Sequence, residues 1–298
     1  MTSSNPPTNS PTRRNRRDVR PVMPRRMRET PRDLEIVRLV YDYRILSQQQ
    51  LERLLGKARS TVQQALVRLY HHRYLERVFL PVSSFGSPTL YILDKRGIEL
   101  LQRQGQESFV GLPDKRLSAM FLQHSIAINT FRIELTMACQ RLGWQVKQWL
   151  TENEIKADYD RLQIRDVRGR MQRFPVVPDS YFVIEIPGRG QSHFFVEVDR
   201  GTMQLERFKT KVATYVSYYK QGLYEKRYAA KGFRVLTIVD TPGKNRLKHL
   251  TNVTIAVEGV GRRFWFAHLS EITVTDILTE AIWSVAGNTT AEALFNLS

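Results

Sequence analysis

Two apolar runs, residues 180–186 and 194–199, stand on either side of the turn Pro187-Gly188-Arg189-Gly190 and bring acids to the same end. The runs read as paired strands of one sheet. Asp179 sits at the mouth of the first, and Glu197 and Asp199, two residues apart on the second, project from one face. Carboxylates gathered at strand ends repel one another unless a hard cation such as Mg2+ or Mn2+, or basic side chains, neutralise them. The stretch is thus either a metal-dependent nuclease centre or a catalytically silent relic of one. Gly188 and Gly190 have no Walker lysine or following helix, so they mark a tight hairpin turn rather than a phosphate loop.

The flanking pattern predicts the rest of this domain, residues 118–269. A helix over 118–142 carries Phe121, Ile126, Ile128, Phe131, Leu135 and Ala138 and ends at Gly143, and a strand with Trp144, Val146 and Trp149 follows. Residues 151–173 are polar and irregular, an excursion from the core. A helix over 203–221 places Leu205, Phe208, Val212, Tyr215 and Tyr219 inward. A strand over 233–239, a helix within 244–257 and a strand over 263–268 complete an order that suits a mixed α/β sheet with helices on its faces. The tail, residues 270–298, has Ile277, Leu278, Ala281 and Ile282 at helical spacing, which predicts a helix packed on this domain or in a dimer contact.

The N-terminal half follows another pattern. Residues 1–30 hold eight arginines (Arg13, Arg14, Arg16, Arg17, Arg20, Arg25, Arg26 and Arg28) and little that can be buried. They predict a disordered basic arm suited to phosphate contacts. Over 31–104, Leu34, Val37, Val40 and Tyr41 mark one face of a first helix. Ser47 and Gln50 make a capping box for a second, with Leu51, Leu54 and Leu55 inward and Gly56 closing it. Ser60 and Gln63 repeat that spacing for a third, with Val62, Leu66 and Leu69 inward. Strand-prone runs at 75–80 and 89–93 flank a turn at 81–88, and a helix over 94–103 follows: the expected fold is a winged helix-turn-helix. Residues 105–117 form a linker.

On the third helix, Thr61, Gln63, Gln64 and Arg68 lie away from the apolar stripe, and Arg59 and Arg73 flank them. Glutamine pairs bidentately with adenine and arginine with guanine, so Gln64 and Arg68 are the expected base readers, with Arg59 and Arg73 on phosphates. Charge agrees: 46 Lys+Arg against 29 Asp+Glu give a formal +17 over 298 residues, which favours double-stranded DNA as partner. The single cysteine, Cys139, excludes an intramolecular disulfide and a thiolate zinc site. His71 and His72 have no acidic or cysteine companions, and His124 among apolar neighbours reads as a satisfied core residue. No run is apolar enough to span a membrane and no signal core opens the chain, so a cytoplasmic protein is expected.

The Pro178-Asp179 pair, the run F-F-V-E-V-D-R-G-T and the following F-K-T-K-V-A-T-Y resemble the PD-(D/E)xK, or restriction-endonuclease-like, superfamily. Joined to a winged helix, the whole of residues 31–269 resembles the replication-relaxation family of plasmid and mobile-element proteins. The resemblance implies Asp179 and Glu197 as metal ligands, Glu134 as a further acidic ligand, and a catalytic lysine two residues after Glu197. That position is Asp199. The resemblance then assigns the basic role to Lys211, ahead of Lys209, on the next helix, with Asp199 as ligand or water-positioning group.

Two functions stay open. One is a sequence-specific DNA-binding protein of a mobile element, a regulator or replication and relaxation factor, with the second domain serving dimerisation, backbone contact or recruitment of mobile-element proteins. The other is a Mg2+- or Mn2+-dependent endonuclease or nickase aimed by the winged domain. A third class, a protein adaptor, predicts no salt-dependent DNA affinity.

Overall fold

A computed structural model describes residues 19–21, 24, 27–80, 88–106, 117–165, 170–243 and 245–296, and the chain divides into two compact units after Leu122. No helix among the described residues is long and apolar enough to cross a membrane.

In the first unit, helix α1 (Pro31–Tyr43) opens on a capping box: Thr30 Oγ1 accepts from the Asp33 N–H, and Asp33 Oδ2 accepts from the Thr30 N–H at 2.9 Å. Its buried stripe is Ile36, Val37, Val40 and Tyr43, with Leu34 and Tyr41 only half-buried. Strand β1 (Leu46–Ser47) leads into α2 (Gln48–Leu55), where the expected Ser47/Gln50 box forms, and Gly56 ends the helix at φ 58°, a left-handed conformation that disfavours a side chain. Helix α3 (Arg59–His71) departs from expectation. It starts one residue before Ser60, with Ala58 as its uncapped N-cap, so the Ser60/Gln63 spacing does not act as a capping box. The connection from Gly56 is too short to hold Ser60 outside the helix, and the Ala58 carbonyl already accepts from the N–H groups of Thr61 and Val62.

Strands β2 (Leu75–Phe79) and β3 (Thr89–Leu93) pair antiparallel, and β1 joins the other edge of β3. Helix α4 (Lys95–Arg103) crosses so close to the start of β2 that a Cβ at Gly97 would lie 2.4 Å from the Tyr74 carbonyl oxygen. The joining residues 81–87, linker residues 107–116 and most of the basic arm lie outside the described residues.

The end of that arm is not free chain. Arg20 donates to the carbonyls of Tyr70 (2.9 Å) and Leu75 (2.5 Å) and pairs with Glu76 (3.1 Å) and Asp94 (2.8 Å), while its guanidinium lies 4.4 Å from the Tyr70 ring centre. Glu29 accepts from Tyr74 Oη and Arg103. Two partly buried acids need a cation here, and the arm supplies it.

The second unit opens in α5 (Ala119–Arg141), followed by β4 (Gln145–Thr151), α6 (Glu152–Ala157) and the strands β5 (Arg161–Arg165) and β6 (Met171–Pro175). The excursion expected as irregular is therefore a short helix and an antiparallel hairpin. Next come β7 (Ser180–Ile186), β8 (Gly190–Asp199), α7 (Leu205–Lys220), α8 (Leu223–Tyr228), β9 (Arg234–Val239), α9 (Asn245–Ile255), β10 (Phe264–His268), β11 (Trp283–Val285) and β12 (Ala291–Glu292). They build a mixed seven-stranded sheet in the order β12-β11-β10-β9-β8-β7-β4, parallel from β8 to β10 and antiparallel outside.

Helix α5 covers one face through Phe131, Leu135 and Ala138, together with Ile277 and Leu278. Helices α7, α8 and α9 cover the other through Phe208, Val212, Tyr224 and Leu250. The helical tail expected over 270–298 is instead a turn followed by two strands. Trp283 is fully buried and donates Nε1–H to the Ile277 carbonyl at 2.9 Å, so strand pairing with β10 overrides the helical spacing of Ile277, Leu278, Ala281 and Ile282.

Candidate functional site

Two regions hold the residues singled out by sequence. On α3, Val62, Ala65, Leu66 and Leu69 are buried, Arg59 and Gln64 are exposed, and Thr61 and Gln63 are half-buried beside them. Gln64, Thr61 and Arg68 line one side of an open cleft of about 630 Å³ whose other side is Thr30, Pro31 and Arg32 at the start of α1. Arg68 is placed differently from a free base reader. Its Nη2 donates to Asp33 Oδ1 at 2.6 Å, and the Asp33 side chain is fully buried while that of Arg68 is 40% exposed. The Asp33 carboxylate thus caps α1 with one oxygen and ties α3 to it with the other. Arg73 stands half-buried past the C-terminus of α3 at φ 63°, beyond the opposite end of that helix from Arg59.

The second region lies where β8 ends. Asp179 precedes β7, so the Val198 N–H of β8 has no strand carbonyl opposite; Asp179 Oδ2 accepts it at 2.7 Å. Oδ1 faces His124 Nε2 of α5 at 3.3 Å. Burial raises the Asp179 pKa, but the His124 hydrogen bond, Lys211 and the Val198 N–H outweigh it and hold the group below the ordinary range. The same pairing lifts His124 above its usual value against burial.

Glu197, on the α7 side, takes an ion pair from Lys211 Nζ and a hydrogen bond from Tyr215 Oη at 2.5 Å. Lys211 and Tyr215 are four residues apart on α7 and share its inner face. Burial, helped by Asp179, pushes Glu197 up to about 7 in spite of Lys211. Asp199 belongs to a separate arrangement: Arg246 of α9 grips both its oxygens at 2.7 Å, and the Gly201 N–H adds a third bond at 2.9 Å. Arg200 turns to Asp240 (3.0 Å) and Gln123 (2.9 Å).

The structure therefore brings Asp179, Glu197 and Lys211 together and gives Asp199 to a different partner. Lys209 is exposed on α7. Glu134 lies on α5 ten residues past His124, about 15 Å along the axis, and is not brought to the cluster. His124 was legible only as a core residue, and no spacing signals Arg246. Tyr215 had a signal, its position four residues from Lys211, although its apolar neighbours masked it. Among the described residues no group of three or more His, Cys, Asp or Glu is placed to hold a metal ion. Each of the three strand-end carboxylates is engaged by a protein cation or donor, so the donor set as arranged does not fit Mg2+ or Mn2+.

Residues 37–234 match the sequence profile of the replication-relaxation family. The chain belongs to that family. The matched span begins inside α1 and ends as β9 begins, so it takes in α3, Asp179, Glu197 and Lys211, while Arg246 lies beyond it. No curated protein and no solved structure matches this replication-relaxation protein.

Proposed function

We propose that this protein binds double-stranded DNA through a winged helix-turn-helix, with α3 as the recognition helix, and serves replication or relaxation of a plasmid or mobile element. The observation that carries the reading is α3 itself: a buried apolar stripe with Arg59, Thr61, Gln63 and Gln64 on the side left to solvent, in a chain of formal charge +17. Gln64 is the base-reading residue. Arg68 holds α3 on α1 through Asp33 and lends its remaining exposed edge to the same surface. Family membership supports work on DNA, and the nuclease-like second unit supplies the scaffold.

Selection of bound duplexes from a random pool, followed by titration of the winner and a scrambled control over a salt series, tests this. A sequence preference that Gln64→Ala abolishes supports the reading. Equal, salt-independent affinity for both duplexes, or none, overturns it in favour of a protein adaptor.

A metal-dependent nickase is the second reading, and the meeting of Asp179, Glu197 and Lys211 at the end of β8 favours it, although Lys211 fills the place of a cation at Glu197. The pairing of Asp179 with His124 and of Asp199 with Arg246 weighs the other way. Supercoiled plasmid incubated with Mg2+ or Mn2+ separates the two: nicking by the wild type that Glu197→Ala loses would establish the second.

A further inference from the structure

The β5–β6 hairpin has one face in the core and one in solvent. Leu162 is fully buried and Ile164 packs beside it among the side chains of α7 and β8. The base is closed by the Val176 N–H on the Asp160 carbonyl at 2.9 Å, and the Asp160 carboxylate accepts from Tyr218 Oη and from Arg227. A two-stranded ribbon is marginal alone, and this packing fixes it as a rigid projection.

Among the described residues the charge on the opposite face is of a single sign. Gln163 stands directly across from Arg173, and Arg161 lies two residues before Gln163 on the same face; all three are exposed. The Arg161 guanidinium is set over the Tyr159 ring, 4.9 Å from its centre. Residues 161–173 include five arginines, one aspartate and no lysine. Protecting open sheet edges from pairing calls only for charge, of either sign. A set drawn from arginine alone matches the planar, bidentate recognition of phosphate instead.

We infer that the outer face of β5–β6, through Arg161 and Arg173, is a second contact surface for the phosphate backbone of duplex DNA, sequence-independent and separate from α3. The inference rests on the DNA-binding reading above and extends it to the second unit. It makes the hairpin a positioning element, and the bases are read elsewhere.

The test compares the full chain with Arg161→Ala/Arg173→Ala and with Arg161→Lys/Arg173→Lys, measuring anisotropy of a labelled duplex oligonucleotide over a salt series beside a thermal melt. Losing two phosphate contacts should shallow the slope of log K against log salt by about 2, equally for selected and scrambled duplexes, with the melt unchanged. The lysine pair, which keeps both charges, should restore most of that slope. An alanine pair that binds with wild-type affinity and slope overturns the inference and leaves the α3 reading standing. A wild type that binds no duplex at low salt removes both.

Discussion

Arg246 reaches across from α9 to hold both carboxylate oxygens of Asp199 at the end of β8, and its Nη2 also donates to the Met203 carbonyl at 2.6 Å. One side chain thereby joins the sheet, the loop that enters α7 and the next crossover helix. It also engages the acid two residues past Glu197, where the sequence resemblance led one to expect a lysine. Several measurable consequences depend on this and on the neighbouring pairs.

Removing Arg246 strands a carboxylate whose side chain is 3% exposed. Arg246→Ala should destabilise the second unit by about 3–5 kcal/mol, because a buried charge loses its partner. All four tryptophans, Trp144, Trp149, Trp265 and Trp283, lie in that unit, so denaturant unfolding followed by tryptophan fluorescence reports on it alone. Adding Asp199→Asn to the variant should recover part of the loss.

Gln64 and Arg68 should separate cleanly. Gln64→Ala should cost about 1–3 kcal/mol of discrimination between the preferred duplex and a scrambled one and leave folding intact. Arg68→Ala should also loosen the first unit, since fully buried Asp33 keeps only its capping bonds. Hydrogen exchange of the α1 amides checks this: faster in Arg68→Ala, unchanged in Gln64→Ala. Equal protection in both variants would show that the Asp33 tie carries no stability.

The strand-end cluster has a pH signature. Folded Glu197 keeps its proton up to about 7, whereas an unfolded glutamate releases it near 4.3, so between those limits the native state binds more protons and loses stability as pH rises. His124, also raised, adds in the same direction: its contribution is present below about 6.5 and fades as pH climbs through the folded value. Asp179, lowered, acts oppositely, losing its contribution only as acid titrates it below the ordinary carboxylate range. Glu197→Gln should remove the first dependence, so its stability relative to wild type rises from pH 4.5 to 7.5. Parallel profiles across that range would refute the assignment.

Arg20 should matter to folding as well as to charge. Arg20→Ala removes the ion pairs that Arg20 makes with Glu76 and Asp94 and should cost roughly 1.5–3 kcal/mol in the first unit. A truncation of residues 1–21 should melt lower than a truncation of residues 1–18, which keeps Arg20. Equal melts for the two truncations would mean that the anchor carries no weight.

Elements with local signals were legible in the chain. The Ser47/Gln50 box and Gly56 set the bounds of α2, and the runs on either side of residues 187–190 pair as the expected hairpin. The resemblance preferred Lys211 to Lys209, and on α7 Lys211 meets Glu197 while Lys209 is exposed. Long-range pairing was not legible. Arg246 stands 47 residues from Asp199, with nothing between them to mark the tie. His124 lies in an apolar stretch, where its role depends on an aspartate from another element. The segment before Trp283 has a helix-like period, yet its neighbours in space are a sheet edge and α5, and burial of Trp283 there decides its conformation.

Because Trp283 and Leu294 are both packed into the same apolar layer as α5, that layer cannot be sealed while β11 and β12 are still inside the ribosome. The first unit is free to mature early in synthesis; the second must wait, with its central strands already made and one face open. Nascent chains of this protein should therefore depend on chaperones until Trp283 and Leu294 have emerged, and a stop codon just before Trp283 should yield a product that aggregates.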